Sequence, residues 1–489
     1  MKKSGSSGRA FKKILLLLTK VDPLFMLTLL LLFYLQLTFL STLPYLDGNI
    51  DFVQMLDFQS GGLQKLALNW ASIHPPLKAV LGALFVGIFG VNQIALSLLG
   101  ITHAVLGVAA IYFLAGKLFG KKTGKLAAFF LAAFPLYFAN SLFVMTDFMA
   151  SVYLLSFLAA YVNGRRLLAV IFLCLGVLTK ETFLLFAAIV LFVEVIAFLK
   201  RASLRQAQTT HTQGMLLFLI PLLVYLGWSG LLQGYGKEAW SDWIFAKTAG
   251  QGAFATIVSN IINFRFVNSY AIQSWLQLFL LNFNWIIWGF TFIAAVIYSW
   301  RAPLKSRNRI LKSFTSMDEK GRTLLIIFCF GIAYFLLVLS FQTYTIPRYA
   351  LPLLCLLLVF FAKAVSYIMS LRNTPGKVLL LFMGIIFITA LFTSSDPVSK
   401  NLWKEQVILG ENIYKLNEHG AGNDGIAYNA QYLLISLRRT ALINQANSLK
   451  KPVISKDCRW LFADVNNDRR IFDYLLLSGI PKEQLCEQK

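Results

Sequence analysis

Charged residues are scarce in this sequence: Asp, Glu, Lys and Arg make up only 14% of its 489 residues. Soluble globular proteins carry roughly 25%, so an ordinary water-facing surface is excluded. Acidic residues are the less frequent of the two kinds, with 22 against 45 basic residues, and the net charge is therefore +23. Intrinsic disorder is excluded by the 57% of hydrophobic residues. The basic residues form no stripe on a polar domain, so we expect no nucleic-acid partner.

Metal-binding cysteine motifs are also missing, since the five cysteines show no CxxC or Cys/His spacing. No small-residue cleavage site follows a short apolar stretch near the N-terminus, so we expect the first apolar segment to remain as an anchor. Cys458 and Cys486 lie in a polar tail that we predict on the outer side of the membrane. A disulfide and two free thiols are both open there.

Long apolar runs are what the sequence has instead, and a bilayer core needs about 20 apolar residues per helix. The stretch from Pro23 to Pro44 carries no charge and follows six basic residues, which predict a cytoplasmic N-terminus by the positive-inside rule. The segment from Leu77 to Gly90 is shorter and carries Lys78, so we expect an interfacial helix on the outer side. The same reasoning along the chain predicts eleven spans, near residues 23–44, 93–116, 126–144, 148–162, 167–179, 183–199, 215–232, 273–299, 323–341, 350–369 and 378–394.

The predicted fold class is therefore an all-α polytopic membrane protein with a small C-terminal soluble α/β domain. Residues 1–394 form the membrane domain, with an outer loop over 45–92, and residues 395–489 form the soluble domain on the outer side. Short apolar stretches alternate with helical patterns in this tail, which predicts the α/β class. We expect the plasma (inner) membrane as the location.

Polar residues at the outer ends of the predicted spans are the candidates for chemistry, because an unpaired charge is costly to bury in a membrane. A carboxylate there can serve as general base for a hydroxyl, and a Lys with an Arg can hold a phosphate. A second carboxylate can hold a divalent cation. Taken singly, each residue also fits a solvated loop or a snorkelling side chain. The candidates are Asp47, Asp51, Asp57, His74, Asp147, Lys180, Glu181 and Arg348.

The order of these residues resembles that in membrane glycosyltransferases related to dolichyl-phosphate-mannose protein mannosyltransferases and lipid A aminoarabinose transferases. The resemblance covers roughly residues 20 to 370. Its motifs are Asp47 after the first span, His74-Pro75-Pro76-Leu77 at the start of the short helix, LFVMTD at 142–147, LTKET at 178–182, and Arg348-Tyr349 before an apolar span.

This resemblance implies a GT-C fold and the inverting transfer of a hexosyl or pentosyl group from a polyprenyl-phosphate donor. The acceptor is a lipid, a glycan or a protein on the outer face. Asp47 is implied as general base, and Asp147 as a second catalytic residue that together with Asp47 could hold a divalent metal cation. Lys180 and Arg348 are implied as ligands of the donor phosphate. Further implied site residues are Asp51, which follows Gly48 where many relatives have a second acidic residue, His74 at the floor of the cleft, Glu181 and Tyr349.

Two other functions stay open at this point. A transporter or flippase of lipid-linked glycans would share the membrane location, although such proteins tend to have internal repeats and ionisable residues at mid-span, and we detect no repeat. A polymerase or ligase of lipid-linked saccharides would share the outer face but would use a lipid diphosphate donor.

Overall fold

The structure is a computed structural model, and every regular element within its described residues is helical. None of the predicted soluble domain is described, so its α/β class and the pairing of Cys458 and Cys486 lie outside the described residues. The described residues are 22–37, 40, 47–70, 72, 74–90, 93–142, 144–203, 216–237, 262–263, 278–280, 284–301, 317–339, 347–370, 378 and 381–386.

Thirteen α-helices are described. Helices α1 to α5 are Pro23–Leu37, Asp47–Leu68, Leu77–Phe89, Gln93–Phe119 and Lys121–Ala132. Helices α6 to α10 are Pro135–Leu142, Thr146–Val162, Arg166–Val177, Phe183–Ser203 and Ile220–Gly234. Helices α11 to α13 are Asn284–Arg301, Glu319–Leu339 and Leu351–Ser370, and 3₁₀ turns at Leu217–Leu219 and Pro347–Ala350 lead directly into α10 and α13.

Several of these helices can cross a membrane, and the chain is an integral membrane protein of the all-α class, as predicted. By length and composition, four described stretches are long and apolar enough: Ile94–Phe119, Phe183–Lys200, Leu217–Gly234 and Arg348–Ser370. Helices α5 and α6 meet at a bend of 60° and together could form a fifth. Shorter apolar helices include α1, α7 and α8. The total of eleven spans stays a prediction.

Helix α7 lies at the centre of the bundle, since every one of its residues from Thr146 to Val162 is buried. Its sequence is apolar on all sides except for a few small hydroxyl groups and Asp147, which is the pattern of a helix enclosed by other helices. Helices α4, α8, α12 and α13 pack around it. The central helix therefore carries one carboxylate, in its first turn, into the interior of the protein.

The predicted outer loop over 45–92 contains two helices. The expected short helix is present as α3, at Leu77–Phe89, and α2 precedes it at Asp47–Leu68. Helix α2 is broken at Gly61 and Gly62, and Gly62 has a φ of 62°, a conformation that favours glycine. The sequence does not predict this helix, because two consecutive glycines are unfavourable in a helix interior.

Ion pairs support the predicted order of the spans. Those between residues predicted in the cytoplasm are Asp22 with Lys125, and Glu194 with Arg322. Those between residues predicted outside are Asp51 with Lys78, His74 with Glu181, and Asp147 with both Lys180 and Arg348. Each of these pairs joins residues that the alternation of spans assigns to the same side. Which end of the bundle faces the cytoplasm stays a prediction.

Candidate functional site

The centre of the candidate site is the carboxylate of Asp147, whose residue is 1% exposed. Lys180 donates a hydrogen bond from Nζ to Asp147 Oδ1, and Arg348 Nε lies 3.4 Å from Asp147 Oδ2. Lys180 and Arg348 are themselves buried. Three segments far apart in the sequence thus bring one anion and two cations together, at the start of α7, in the turn before α9 and in the 3₁₀ turn before α13.

The turn that carries Lys180 is built by the backbone at the end of α8. The amides of Thr179 and Lys180 both donate to the carbonyl of Gly176, at 3.0 and 3.1 Å. The amide of Phe183 donates to the carbonyl of Lys180 at 3.0 Å, which starts α9. A Cβ atom at Gly176 would overlap the ring of Phe183, so the close approach of the two helices at this turn requires glycine.

An aromatic ring lies against both cations. The ring centroid of Tyr349 is 4.9 Å from Lys180 Nζ and 5.7 Å from Arg348 Cζ, which is within the range of cation–π attraction. The Tyr334 hydroxyl donates a 2.9 Å hydrogen bond to the backbone carbonyl of Tyr349. Tyr334 therefore ties helix α12 to the segment that carries Arg348 and Tyr349.

His74 and Glu181 form a second pair beside this cluster, with His74 Nδ1 2.8 Å from Glu181 Oε2. The backbone supports the pair, because the amide of Leu77 donates to the carbonyl of Leu178 at 2.8 Å. Burial disfavours the charged form of His74, but the Glu181 carboxylate outweighs it and raises the pKa of His74 above its usual value. Burial likewise opposes ionisation of Glu181, and the His74 ring outweighs it, so the pKa of Glu181 is lowered.

The two cations stay charged at neutral pH. Burial disfavours the charged form of Lys180, but the carboxylates of Asp147 and Glu181 outweigh it and raise the pKa of Lys180. The guanidinium of Arg348 is protonated at any pH at which proteins are studied. The site therefore offers two fixed positive charges in a water-poor environment, where charge–charge attraction is stronger than in water.

The remaining predicted site residues lie on α2. Asp51 pairs with Lys78 of α3, so its carboxylate is not part of the cluster around Asp147. Asp47 is the first residue of α2, one helical turn before Asp51. The side chain of Asp47 lies outside the described residues, and its role as general base stays a prediction.

The predicted metal site does not fit the surroundings of Asp147. Both of its carboxylate oxygens face cationic side chains, one Lys180 and the other Arg348, and a divalent cation there would be repelled. The described residues contain no group of three or more His, Cys, Asp or Glu side chains that could hold a metal ion.

Two buried residues that connect the elements around the site were not among the sequence candidates. Lys78 gave a signal, because it is a single charge in a short apolar helix. Tyr334 gave none, because one more aromatic residue in an apolar span is indistinguishable from a packing residue. Its role depends on a contact with the backbone of Tyr349 that only the folded chain creates.

Comparison with known families confirms the predicted resemblance over part of the chain. Residues 73–228 match the family of dolichyl-phosphate-mannose-protein mannosyltransferases. The matched segment contains His74, Asp147, Lys180 and Glu181, whereas Asp47 precedes it and Arg348 follows it. No curated protein sequence matches the chain.

The solved structures that are similar to this chain include two with a bound lipid phosphate. One is ArnT from Cupriavidus metallidurans bound to undecaprenyl phosphate, with 16% identity and a TM-score of 0.49 over 93% of this chain and 76% of that chain. The other is the archaeal oligosaccharyltransferase AglB from Archaeoglobus fulgidus in complex with an inhibitory peptide and a dolichol-phosphate. It shares 13% identity at a TM-score of 0.46, over 84% of this chain and 59% of that chain.

Proposed function

We propose that this protein is an integral-membrane glycosyltransferase that takes a sugar from a polyprenyl-phosphate donor and passes it to an acceptor on the outer face. The observation that carries the proposal is the convergence of Lys180 and Arg348 on the buried carboxylate of Asp147. The family match over residues 73–228 supports the same class of reaction.

Two buried cations that meet at one point form a site for an anion. In the absence of a donor, Asp147 supplies the negative charge and holds both cations side by side. A lipid phosphate that enters the site can take up hydrogen bonds from the same two donors, and bonds between charged groups are about twice as strong as neutral ones. The Tyr349 ring, in contact with both cations, restricts their directions.

The chemical step is a single displacement at the anomeric carbon of the sugar. The acceptor hydroxyl oxygen forms a bond to this carbon as the bond to the phosphate oxygen breaks, and the electron pair of the broken bond stays on the phosphate. Lys180 and Arg348 stabilise this growing negative charge. Asp47 accepts the proton of the acceptor hydroxyl. One displacement from the opposite face inverts the configuration of the sugar.

A divalent cation supplies no step in this scheme, because Asp147 is already neutralised by two cationic side chains. Transfer by the purified protein after dialysis against EDTA tests this point. Loss of transfer that returns with added Mg²⁺ or Mn²⁺ would show that a metal is needed after all.

The substitution Asp47→Asn tests the general base. Transfer of sugar from a polyprenyl-phosphate donor by the reconstituted full chain should be lost, because the amide cannot accept the proton. The matched control is Asp22→Asn, at the predicted cytoplasmic end, where Asp22 pairs with Lys125. Full transfer by Asp47→Asn would rule out this assignment, and movement of the lipid-linked sugar across the membrane without covalent transfer would favour the flippase function instead.

The substitution Arg348→Ala tests the phosphate contact. Loss of one charge-assisted hydrogen bond costs about 1.5–3 kcal/mol, so the apparent KM for the donor should rise about ten- to hundredfold. Arg165→Ala is the control, because Arg165 is an exposed arginine in the turn before α8. An unchanged donor KM in Arg348→Ala, with the protein folded, contradicts a phosphate role.

A further inference from the structure

Lys78 is a buried charge outside the cluster around Asp147. It is the single charged residue of α3, it is 3% exposed, and its ammonium group pairs with the carboxylate of Asp51, a residue that is 6% exposed. A buried ion pair adds little to stability, since removing both charges from water costs about as much as their attraction returns. Such a pair can nevertheless fix how two elements align, because each charge has one partner that satisfies it.

A second contact shows how α2 and α3 align. A Cβ atom added at Gly82 would overlap Met55 Sδ, so the two helices approach closely at this point. Met55 follows Asp51 by four residues, and Gly82 follows Lys78 by four residues. Successive turns of α2 therefore meet successive turns of α3, which means that the first part of α2 runs in the same direction as α3.

The same spacing of four residues can be extended towards the N-terminal ends of α2 and α3. Four residues before Asp51 is Asp47, and four residues before Lys78 is His74. Four residues of helix rise about 6 Å, so Asp47, at the start of α2, lies towards the same end of this helix pair as His74, which precedes the Pro76 cap of α3. His74 in turn is bound to Glu181, the neighbour of Lys180 in the cluster around Asp147.

We propose that Lys78 is a positioning residue for the transfer reaction: its ion pair with Asp51 sets the alignment of α2 on α3 and thereby places Asp47 beside the donor site. This rests on the proposed function, in which Asp47 is the general base. Lys78 does not touch the donor in this scheme. Its effect on the reaction is indirect, because it determines the position of α2 relative to α3.

Kinetics of the reconstituted full chain test the proposal. Lys78→Met should lower kcat at least tenfold and leave the apparent KM for the donor within about twofold, because the phosphate ligands are on other elements. Lys78→Arg should keep most of the activity. The double variant Lys78→Met with Asp51→Leu removes both charges and leaves no unpaired one, so it should fold as stably as the wild type and yet keep the loss of kcat. Wild-type kcat in this folded double variant would overturn the proposal.

A cross-linking experiment measures the alignment without using activity. In a chain whose native cysteines are replaced by serine, the pair D47C and H74C should cross-link under oxidation, and the pair D47C and L81C, about two turns out of alignment, should not. Adding Lys78→Met should reduce the first cross-link at least fivefold, and equal cross-linking with lysine or methionine at position 78 would overturn the proposal. If the wild type transfers no sugar but this dependence on Lys78 is observed, the proposed function fails while the alignment by Lys78 stands.

Discussion

The carboxylate of Asp147 is predicted to hold the place of the donor phosphate, and Asp147→Asn tests this directly. The substitution keeps the shape of the side chain and removes its charge. Lys180 and Arg348 then face a neutral amide, which still accepts one hydrogen bond but no longer balances two buried cations. Two effects follow, one on stability without donor and one on the affinity for phosphate.

The effect on stability follows from burial. Asp147 is 1% exposed and its two partners are nearly as buried, so solvent does not compensate the lost charge. Breaking a buried ion pair from one side costs about 3–5 kcal/mol. Because the amide retains part of the hydrogen bonding, we expect the free energy of unfolding to fall by about 3 kcal/mol.

The effect on affinity has the opposite direction. With the competing carboxylate removed, a polyprenyl monophosphate meets two unbalanced cations and should bind at least tenfold more tightly, which adds about 1.4 kcal/mol of stabilisation at saturating lipid. Turnover should fall, because the phosphate product is held as firmly as the donor. The gain in affinity is therefore no gain in activity.

Thermal unfolding in detergent, with and without a polyprenyl monophosphate, measures both effects. Asp147→Asn should unfold at a lower temperature than the wild type without lipid and should gain more from the lipid. Asp22→Asn, an identical change at a solvent-accessible ion pair with Lys125, should leave the unfolding temperature nearly unchanged, because solvent screens such a pair. If Asp147→Asn unfolds like the wild type and the lipid stabilises both equally, the carboxylate does not hold the phosphate position.

Two further predictions concern the other buried pairs. Glu194→Gln should lower the free energy of unfolding by about 3 kcal/mol, because it leaves the buried Arg322 without its charged partner. Arg322 Nη1 lies 3.0 and 3.1 Å from the two carboxylate oxygens of Glu194. Thermal unfolding measures this loss, with Asp22→Asn as the control variant. His74→Gln removes the pair with Glu181. Since the pKa of His74 is raised and that of Glu181 is lowered, the stabilisation by this pair is present between those two values and is lost as pH rises through the raised pKa of His74. The difference in unfolding temperature between wild type and His74→Gln should therefore be largest at mildly acidic pH and should shrink as the pH rises through the raised pKa of His74. A difference that does not change with pH would contradict the ion pair.

The sequence predicted the membrane class and the set of clustered residues because both depend on local signals. Uncharged runs indicate spans, and a charge at the end of a span is conspicuous. Asp147, Lys180 and Arg348 could be assigned to one face from the alternation of spans alone. That assignment could not reveal that Asp147 contacts both cations, because the contact depends on how the turn before α9 and the 3₁₀ turn before α13 approach α7.

Residues with a weak local signal were placed less well. Asp51 was grouped with the site as a substitute for the second acidic residue that many relatives have at the position of Gly48, and in the structure its carboxylate pairs with Lys78. The helix that contains it could not be recognised, because Gly61 and Gly62 interrupt the pattern. Tyr334, in contrast, could not be assigned to the site from the sequence, since its role is a single hydrogen bond to the backbone carbonyl of Tyr349.

Buried polar contacts at the two ends of α7 explain how so apolar a protein can keep a precise polar site. At one end Asp147 binds the turn that leads into α9, and at the other Tyr161 donates a hydrogen bond to Glu194 of the same helix. Fourteen residues separate Asp147 from Tyr161, about 21 Å of helix, so α9 is attached to α7 at two widely spaced points. Two attachments fix both the tilt and the axial position of a helix, whereas apolar packing alone allows sliding. The position of Lys180 relative to Asp147 is therefore set from both ends of the bundle.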